Sequence, residues 1–261
     1  MAGNCSRNEE SGEALINLFF LIILPLFSCG LAWFLSFKLR HWAQQARLID
    51  IPNERSSHRE TTPRGGGLSF VIAVPLMTAI GVSWLGLTRL PGTWAFLAGC
   101  LLIAVVSLGD DCWRLPILVR FGVHVAGALI LIAGAGWIRE VELPGGTLFP
   151  LHGWGLPLTF FWIVGLTNAY NFMDGIDGLA AGQAIIAAGT ISWLAHLEGQ
   201  GFVALATAIL AGSVLGFLPH NWPPARIFMG DVGSAFLGFT FSGWAVLTNR
   251  SDTKPLPFMV V

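Results

Sequence analysis

The chain has 261 residues, of which 54% are hydrophobic and only 11% charged, and its mean hydropathy is +0.68. That composition is typical of a membrane protein and excludes an ordinary soluble domain. The net charge of −1 gives no indication of a nucleic-acid partner. The four cysteines show no CxxC spacing, so we expect neither a disulfide framework nor a zinc site.

Apolar runs along the chain predict an all-α polytopic membrane protein with about eight transmembrane helices. Residues 1–13 are polar and predict a disordered external tail, and residues 14–261 form one transmembrane domain. The first run is too long for a signal peptide, so we interpret it as a retained span. Residues 255–261 resemble the start of a ninth span, so we expect a C-terminally incomplete domain. The predicted spans are 14–37, 67–88, 93–109, 119–138, 154–172, 179–197, 202–219 and 232–248.

The loop 38–66 contains six Lys and Arg residues, which the positive-inside rule assigns to the cytoplasm. Counting spans from this loop places five aspartates on the same face. These are Asp110, Asp111, Asp174, Asp177 and Asp231. On the opposite face, the Pro-Gly-Gly within 139–153 predicts a small external hairpin.

Clustered carboxylates repel one another, and a bound divalent cation relieves that repulsion. In NAYNFMDGIDG, the residues Asn168, Asn171, Asp174 and Asp177 recur every third position and share one helix face. Such hard oxygen ligands suit Mg²⁺ or Ca²⁺. The alternative interpretation is a solvated helix end interrupted by glycines.

The two remaining acidic motifs each allow two interpretations. Asp110 and Asp111 end an apolar run, where they form either an ordinary polar helix end or a metal ligand beside a general base. Asp231 precedes an apolar helix, where it either caps the helix or binds a cation. Phe228 lies three residues earlier, where an aromatic ring can stack on a nucleotide base.

The basic loop contains Gly65-Gly66-Gly67 at a predicted helix start, where backbone N–H groups can approach an anion. His58, Arg59 and Arg64 add positive charge nearby. The alternative is a flexible turn with positive-inside arginines. Acidic residues, a divalent cation and basic residues on one face together indicate phosphate chemistry on a lipid-linked substrate.

Four ordered blocks carry a resemblance to a known family: DIPNERSSHRETTPRGGG, GDDCWRLP, NAYNFMDGIDGLA and RIFMGDVGSAFLGF. The chain resembles the polyprenyl-phosphate N-acetylhexosamine-1-phosphate transferases of glycosyltransferase family 4, over residues 14–255. That group includes enzymes that initiate O-antigen and enterobacterial common antigen synthesis, and muramoyl-pentapeptide transferase is a more distant member.

The resemblance implies a Mg²⁺-dependent transfer of N-acetylhexosamine-1-phosphate from a UDP-sugar to undecaprenyl phosphate, with release of UMP. It implies the first membrane step of an O-antigen-like cell-surface polysaccharide. The location implied is the bacterial inner membrane, with an active site that faces the cytoplasm. The resemblance leaves three donors open, which are UDP-GlcNAc, UDP-FucNAc and UDP-QuiNAc. It also leaves open whether the protein forms a homodimer.

The resemblance also implies a role for each motif residue. The implied metal ligands are Asp231 and Asn171. The implied catalytic residues are Asp110, Asp111 and Asp174, with Asp110 as the base that deprotonates the lipid phosphate. The implied nucleotide-sugar contacts are Asp177, Phe228 and Asn168, with Phe228 stacked on uracil. The implied phosphate contacts are His58, Arg59 and Arg64.

The sequence departs from the family at its C-terminal end. Family members continue through two more spans separated by a cytoplasmic His-rich loop, and this sequence ends before that loop. An inactive, truncated homologue is therefore an alternative. A cation-coupled transporter is another alternative, although transporters favour midplane sites and internal repeats, whereas these acidic residues lie at span ends.

Overall fold

The chain folds almost entirely into α-helices, as the sequence predicts. The computed structural model describes residues 2–46, 48–50, 61–143 and 147–249. Each predicted apolar run corresponds to one long helix in these residues. The helices are α1 (Ala2–Gln45), α2 (Leu68–Leu85), α3 (Thr93–Trp113), α4 (Ile117–Ala135), α5 (Gly155–Met173), α6 (Leu179–Leu197), α7 (Gly201–Asn221) and α8 (Asp231–Thr248).

Six helices of the described part are long and apolar enough to cross a membrane, namely α1, α2, α3, α4, α6 and α7. The protein is therefore a multi-pass membrane protein. The helices α5 and α8 are outside this set, so the predicted number of eight spans stays a prediction.

In α8 the small and hydroxylated residues, among them Gly238, Thr240 and Ser242, are buried against other helices. Such residues allow close helix packing within a membrane bundle.

Two short antiparallel hairpins lie outside the helices. Strand β3 (Glu140–Leu143) pairs with β4 (Thr147–Pro150), which confirms the hairpin predicted at 139–153. Its external position stays a prediction. Strand β1 (Ile49–Asp50) pairs with β2 (Thr62–Pro63), a contact that the sequence does not predict. This second pair joins the segment that follows α1 to the segment that precedes α2.

Helix α8 forms the centre of the bundle, because nearly every residue along its length is buried. Helices α3 and α5 pack against α8, while α7 packs against α1 and α6. The contact between α7 and α1 depends on Gly212 and Gly216, whose positions leave no room for a Cβ atom beside the backbone of Pro25 and Cys29. Small residues four apart on one helix face allow this approach of two backbones.

Two helix boundaries differ from the predicted ones. Helix α1 begins at Ala2 and therefore includes residues 2–13, for which the sequence predicts a disordered tail. Helix α3 continues to Trp113 rather than ending at residue 109. Its last turn contains Asp110 and Asp111, whose side chains make the contacts described next.

Candidate active site

Arg120 joins two of the predicted aspartates. Its Nη1 donates to Asp110 Oδ2 at 2.9 Å and to Asp231 Oδ2 at 2.9 Å. Asp110 is buried and also accepts from the backbone N–H of Leu115 at 2.5 Å. Charge-assisted hydrogen bonds of this kind are stronger than neutral ones. The ends of α3 and α8 are therefore held together through one guanidinium from α4.

Asp111 binds the start of α8. Its Oδ1 accepts from the backbone N–H of Asp231 at 3.0 Å, and its Oδ2 accepts from that of Val232 at 3.1 Å. The N-cap residue of α8 is Gly230, which has no side chain to accept these bonds. Asp111 thus caps α8 from a neighbouring helix. The capping interpretation of Asp231 is wrong, because its carboxylate accepts from Arg120 instead.

The glycine segment 65–67 packs against the loop that precedes α8. Gly66 N–H donates to Phe228 O at 2.9 Å, and Gly67 N–H donates to Met229 O at 2.8 Å. Phe228 N–H donates back to Pro63 O at 2.8 Å. These two glycine amides are occupied by carbonyls, so the expectation that they bind an anion is wrong for Gly66 and Gly67. Their function in the fold is close packing of two backbones.

Asp174 follows the last residue of α5 and faces the same loop. Loss of hydration raises the pKa of its carboxyl well above the usual value, and the negative charges of Asp111 and Asp231 raise it further. A hydrogen bond from the backbone of Gly230 and the positive charge of Arg64 oppose the shift in pKa. Asp174 therefore lies close enough to Asp111 and Asp231 for their charges to act on it.

The polar residues of the NAYNFMDGIDG motif point to different partners. Asn171 accepts at Oδ1 from the hydroxyl of Ser234 at 2.9 Å, which places it beside the first turn of α8. Asp177 instead accepts from the backbone N–H of Ala225 at 3.0 Å and fastens the α5–α6 loop to the α7–α8 loop. Asn168 donates to the Val164 carbonyl of its own helix.

The basic loop is described only in part. His58 and Arg59 lie outside the described residues. Arg64 is half-exposed, with Nε 3.7 Å from Asp50 Oδ1. Its positive charge also acts on the carboxylates of Asp111 and Asp174. The phosphate-binding role of all three residues stays a prediction.

The donor groups at this end of the bundle fit Mg²⁺. The side chains of Asp231, Asn171 and Asp174 supply the carboxylate and amide oxygens that Mg²⁺ prefers. Burial raises the pKa of the Asp174 carboxyl first, and the nearby Asp111 and Asp231 raise it further. Within the described residues, no three His, Cys, Asp or Glu side chains form a complete ligand set. Water and substrate phosphates commonly complete the coordination of Mg²⁺.

The sequence pattern does not single out Arg120, because this residue lies at the start of a predicted apolar span. An arginine within such a span is costly unless it has partners, and that cost could have identified it. Asn221 was also missed. It accepts from Gly178 N–H at 3.0 Å and donates to Ile227 O at 3.2 Å, so it joins the two loops that carry Asp177 and Phe228.

Comparison with known proteins identifies the family. The model of glycosyl transferase family 4 matches residues 93–249. A probable undecaprenyl-phosphate N-acetylglucosaminyl 1-phosphate transferase of Bacillus subtilis is 36% identical over 74% of this chain and 53% of its own length. A decaprenyl-phosphate N-acetylglucosaminephosphotransferase of Mycobacterium leprae is 35% identical over 83% of this chain and 56% of its own length.

A phospho-N-acetylmuramoyl-pentapeptide-transferase of Lactiplantibacillus plantarum is 35% identical over 72% of this chain and 62% of its own length. The chain thus spans little more than half the length of several curated relatives that it matches. The family match covers α3 to α8, the helices that contribute Asp110, Arg120, Asp174 and Asp231. The chain belongs to glycosyl transferase family 4.

Proposed function

We propose that this protein transfers N-acetylhexosamine-1-phosphate from a UDP-sugar to a polyprenyl phosphate such as undecaprenyl phosphate, and releases UMP. The observation that carries this proposal is the group of acidic residues at one end of the bundle. Asp110, Asp111 and Asp231 are joined by Arg120 and by the start of α8, with Asp174 close by. The names of the relatives describe the same kind of transfer with N-acetylglucosamine.

In the proposed reaction, a phosphate oxygen of the polyprenyl phosphate attacks the phosphorus atom that carries the sugar. The bond between that phosphorus and the bridging oxygen of UMP breaks, and UMP leaves with the electron pair. The bond between the sugar and its own phosphate stays intact. Two anionic substrates must therefore approach each other, and the chain must reduce their repulsion.

Arg120 and Arg64 supply positive charge that can offset the repulsion between the two anionic substrates. The side chain of Arg120 is 34% exposed, so its guanidinium is accessible while it binds two carboxylates. We assign to Asp110 the removal of any proton on the acceptor phosphate, since a carboxylate can accept several hydrogen bonds at once. Asp111 acts by holding Asp231 and the start of α8 in place.

When bound, Mg²⁺ would supply positive charge to offset the negative charge of the phosphates. Asp231 and Asn171 are the residues that we assign to hold it, because both lie beside the first turn of α8. The position of the acidic residues at helix ends, rather than in mid-span, favours this function over cation transport.

The proposal is tested by release of UMP from UDP-GlcNAc and undecaprenyl phosphate in the presence of Mg²⁺. The assay uses the purified 261-residue chain and, if the gene encodes a longer product, that product too. UDP-FucNAc and UDP-QuiNAc serve as further donors. Release of UMP that requires both substrates supports the proposal. A folded protein that releases no UMP with any donor, in either form, overturns it.

Asp231→Asn tests the metal assignment within the same assay. The amide keeps an oxygen for Arg120 but removes the negative charge that attracts Mg²⁺. We expect unchanged thermal unfolding and a fall in turnover by about two to three orders of magnitude. Glu198→Gln, an exposed carboxylate at the opposite end of the bundle, is the matched control and should keep wild-type turnover. Near-normal turnover of Asp231→Asn at limiting Mg²⁺ contradicts the assignment.

A further inference from the structure

An apolar groove lies between α2 and α3 on the lipid-facing side of the bundle, with α7 and α8 as its floor. The cavity has a volume of about 390 Å³. Its walls include Val74 and Ala79 from α2 and Leu97 and Leu101 from α3. Because Leu101 is 66% exposed, the groove opens sideways into the hydrocarbon of the membrane. The bilayer therefore offers apolar chains directly at its opening.

The groove has a positive charge at one end. Arg89, in the loop between α2 and α3, lines this end, and its guanidinium carbon lies 5.2 Å from the ring centroid of Trp94. Within the described part of the chain, no carboxylate forms an ion pair with Arg89. This end is opposite to the acidic residues, because α3 begins at Thr93 and reaches Asp110 at its other end.

The dimensions fit one acyl chain. The groove extends along α3 from Trp94 to Ala104, which is about 15 Å at 1.5 Å per residue. Half of the hydrocarbon core of a bilayer is also about 15 Å thick. An extended hydrocarbon chain of one leaflet therefore matches the groove in length.

We infer that the groove binds an anionic phospholipid from the leaflet opposite to the acidic residues. One acyl chain fills the groove, and the phosphate pairs with Arg89 at the membrane surface. Arginine forms strong charge-assisted bonds with phosphate, and tryptophan favours the interface between hydrocarbon and headgroups. This lipid would fill a space that the helices leave open and would tie α2 to α3.

The test compares thermal unfolding of the purified chain in nanodiscs made of phosphatidylcholine alone or with added phosphatidylglycerol. We expect phosphatidylglycerol to raise the Tm of the wild type by several degrees. Arg89→Gln should lose at least half of that increase. Arg139→Gln is the matched control. The guanidinium carbon of Arg139 also lies near a tryptophan, 5.7 Å from the ring centroid of Trp137, but Arg139 does not line the groove. It should keep the full increase.

A second pair of variants tests the apolar part of the groove. Ala79→Phe places a ring in the groove and should reduce the effect of phosphatidylglycerol on the Tm. Ile80→Phe adds bulk at the next position of α2, outside the groove, and should leave the effect of phosphatidylglycerol on the Tm unchanged. An equal increase in Tm for Arg89→Gln and the wild type overturns the inference. So does a disulfide between cysteines at positions 79 and 258, which would show that the chain itself occupies the groove.

Discussion

At the scale of single residues, the hydrogen bonds that Asp111 accepts from the start of α8 determine where Asp231 lies. Both oxygens of Asp111 accept backbone N–H groups from the first turn of α8. A helix N-terminus has unpaired N–H groups and a partial positive charge, so a carboxylate there is stabilising. The carboxylate comes from α3 instead of from the residue before α8. Helix α8 is therefore capped by a side chain from α3, a helix distant from it in sequence.

We expect Asp111→Ala to lower the free energy of unfolding by about 1–2 kcal/mol, the usual cost of losing a helix cap. Asp111→Asn should lower the free energy of unfolding by less, because its amide oxygen still accepts one N–H group. Thermal unfolding in detergent measures the difference. Glu198→Ala, at an exposed position, is the control. A Tm for Asp111→Ala within one degree of the wild type would show that Asp111 does not cap α8.

The sequence predicted which carboxylates gather, but it could not predict the bond that each one makes. Counting spans places Asp110, Asp111, Asp174, Asp177 and Asp231 at one end, because that depends only on helix number and length. Hydrogen bonds link Asp110, Asp111 and Asp231 to Arg120 or to the start of α8, whereas Asp177 accepts from Ala225. The choice between Asp111 and Asp231 as the cap of α8 depends on how far α3 continues past residue 109. That boundary depends on tertiary contacts, which no local pattern contains.

At the scale of elements, the first turns of α2 and α8 touch through glycines. A Cβ atom on Gly67 would lie 2.8 Å from Gly233 N and 2.9 Å from Met229 O, both of which are backbone atoms. Backbone atoms cannot move aside as a flexible side chain can. The glycine run in the basic loop was predicted to matter because of its amides. Its effect comes instead from the absence of side chains.

Gly67→Ala should destabilise the protein by about 1–3 kcal/mol, the usual cost of adding a group to a filled space. It should also reduce turnover, since separating α2 from α8 displaces the loop that carries Phe228. Gly189→Ala on α6 is the matched control, because a Cβ atom there has no neighbour within 4 Å. That variant should be neutral or more stable by up to about 1 kcal/mol. Equal unfolding temperatures for both variants would contradict this account.

At the scale of the whole molecule, the bundle has two chemically different ends. One end carries Asp110, Asp174 and Asp231 together with Arg64 and Arg120. The other end carries Arg89 and the hairpin of β3 and β4. Helix α7 connects the two ends, from Gly201 to Asn221. The number of spans predicts this division, and the positive-inside rule predicts that the acidic end faces the cytoplasm.

Labelling of single cysteines in intact cells tests that orientation. Starting from a variant without native cysteines, Trp222→Cys places a thiol at the acidic end, and Glu198→Cys places one at the opposite end. Both positions are exposed, and α7 separates them. A membrane-impermeant maleimide should label Glu198→Cys in intact cells and should label Trp222→Cys only after lysis. Labelling of Trp222→Cys alone in intact cells would reverse the orientation. The acidic residues would then face away from the cytoplasm, where nucleotide sugars are made, and the proposed transfer would lose its donor.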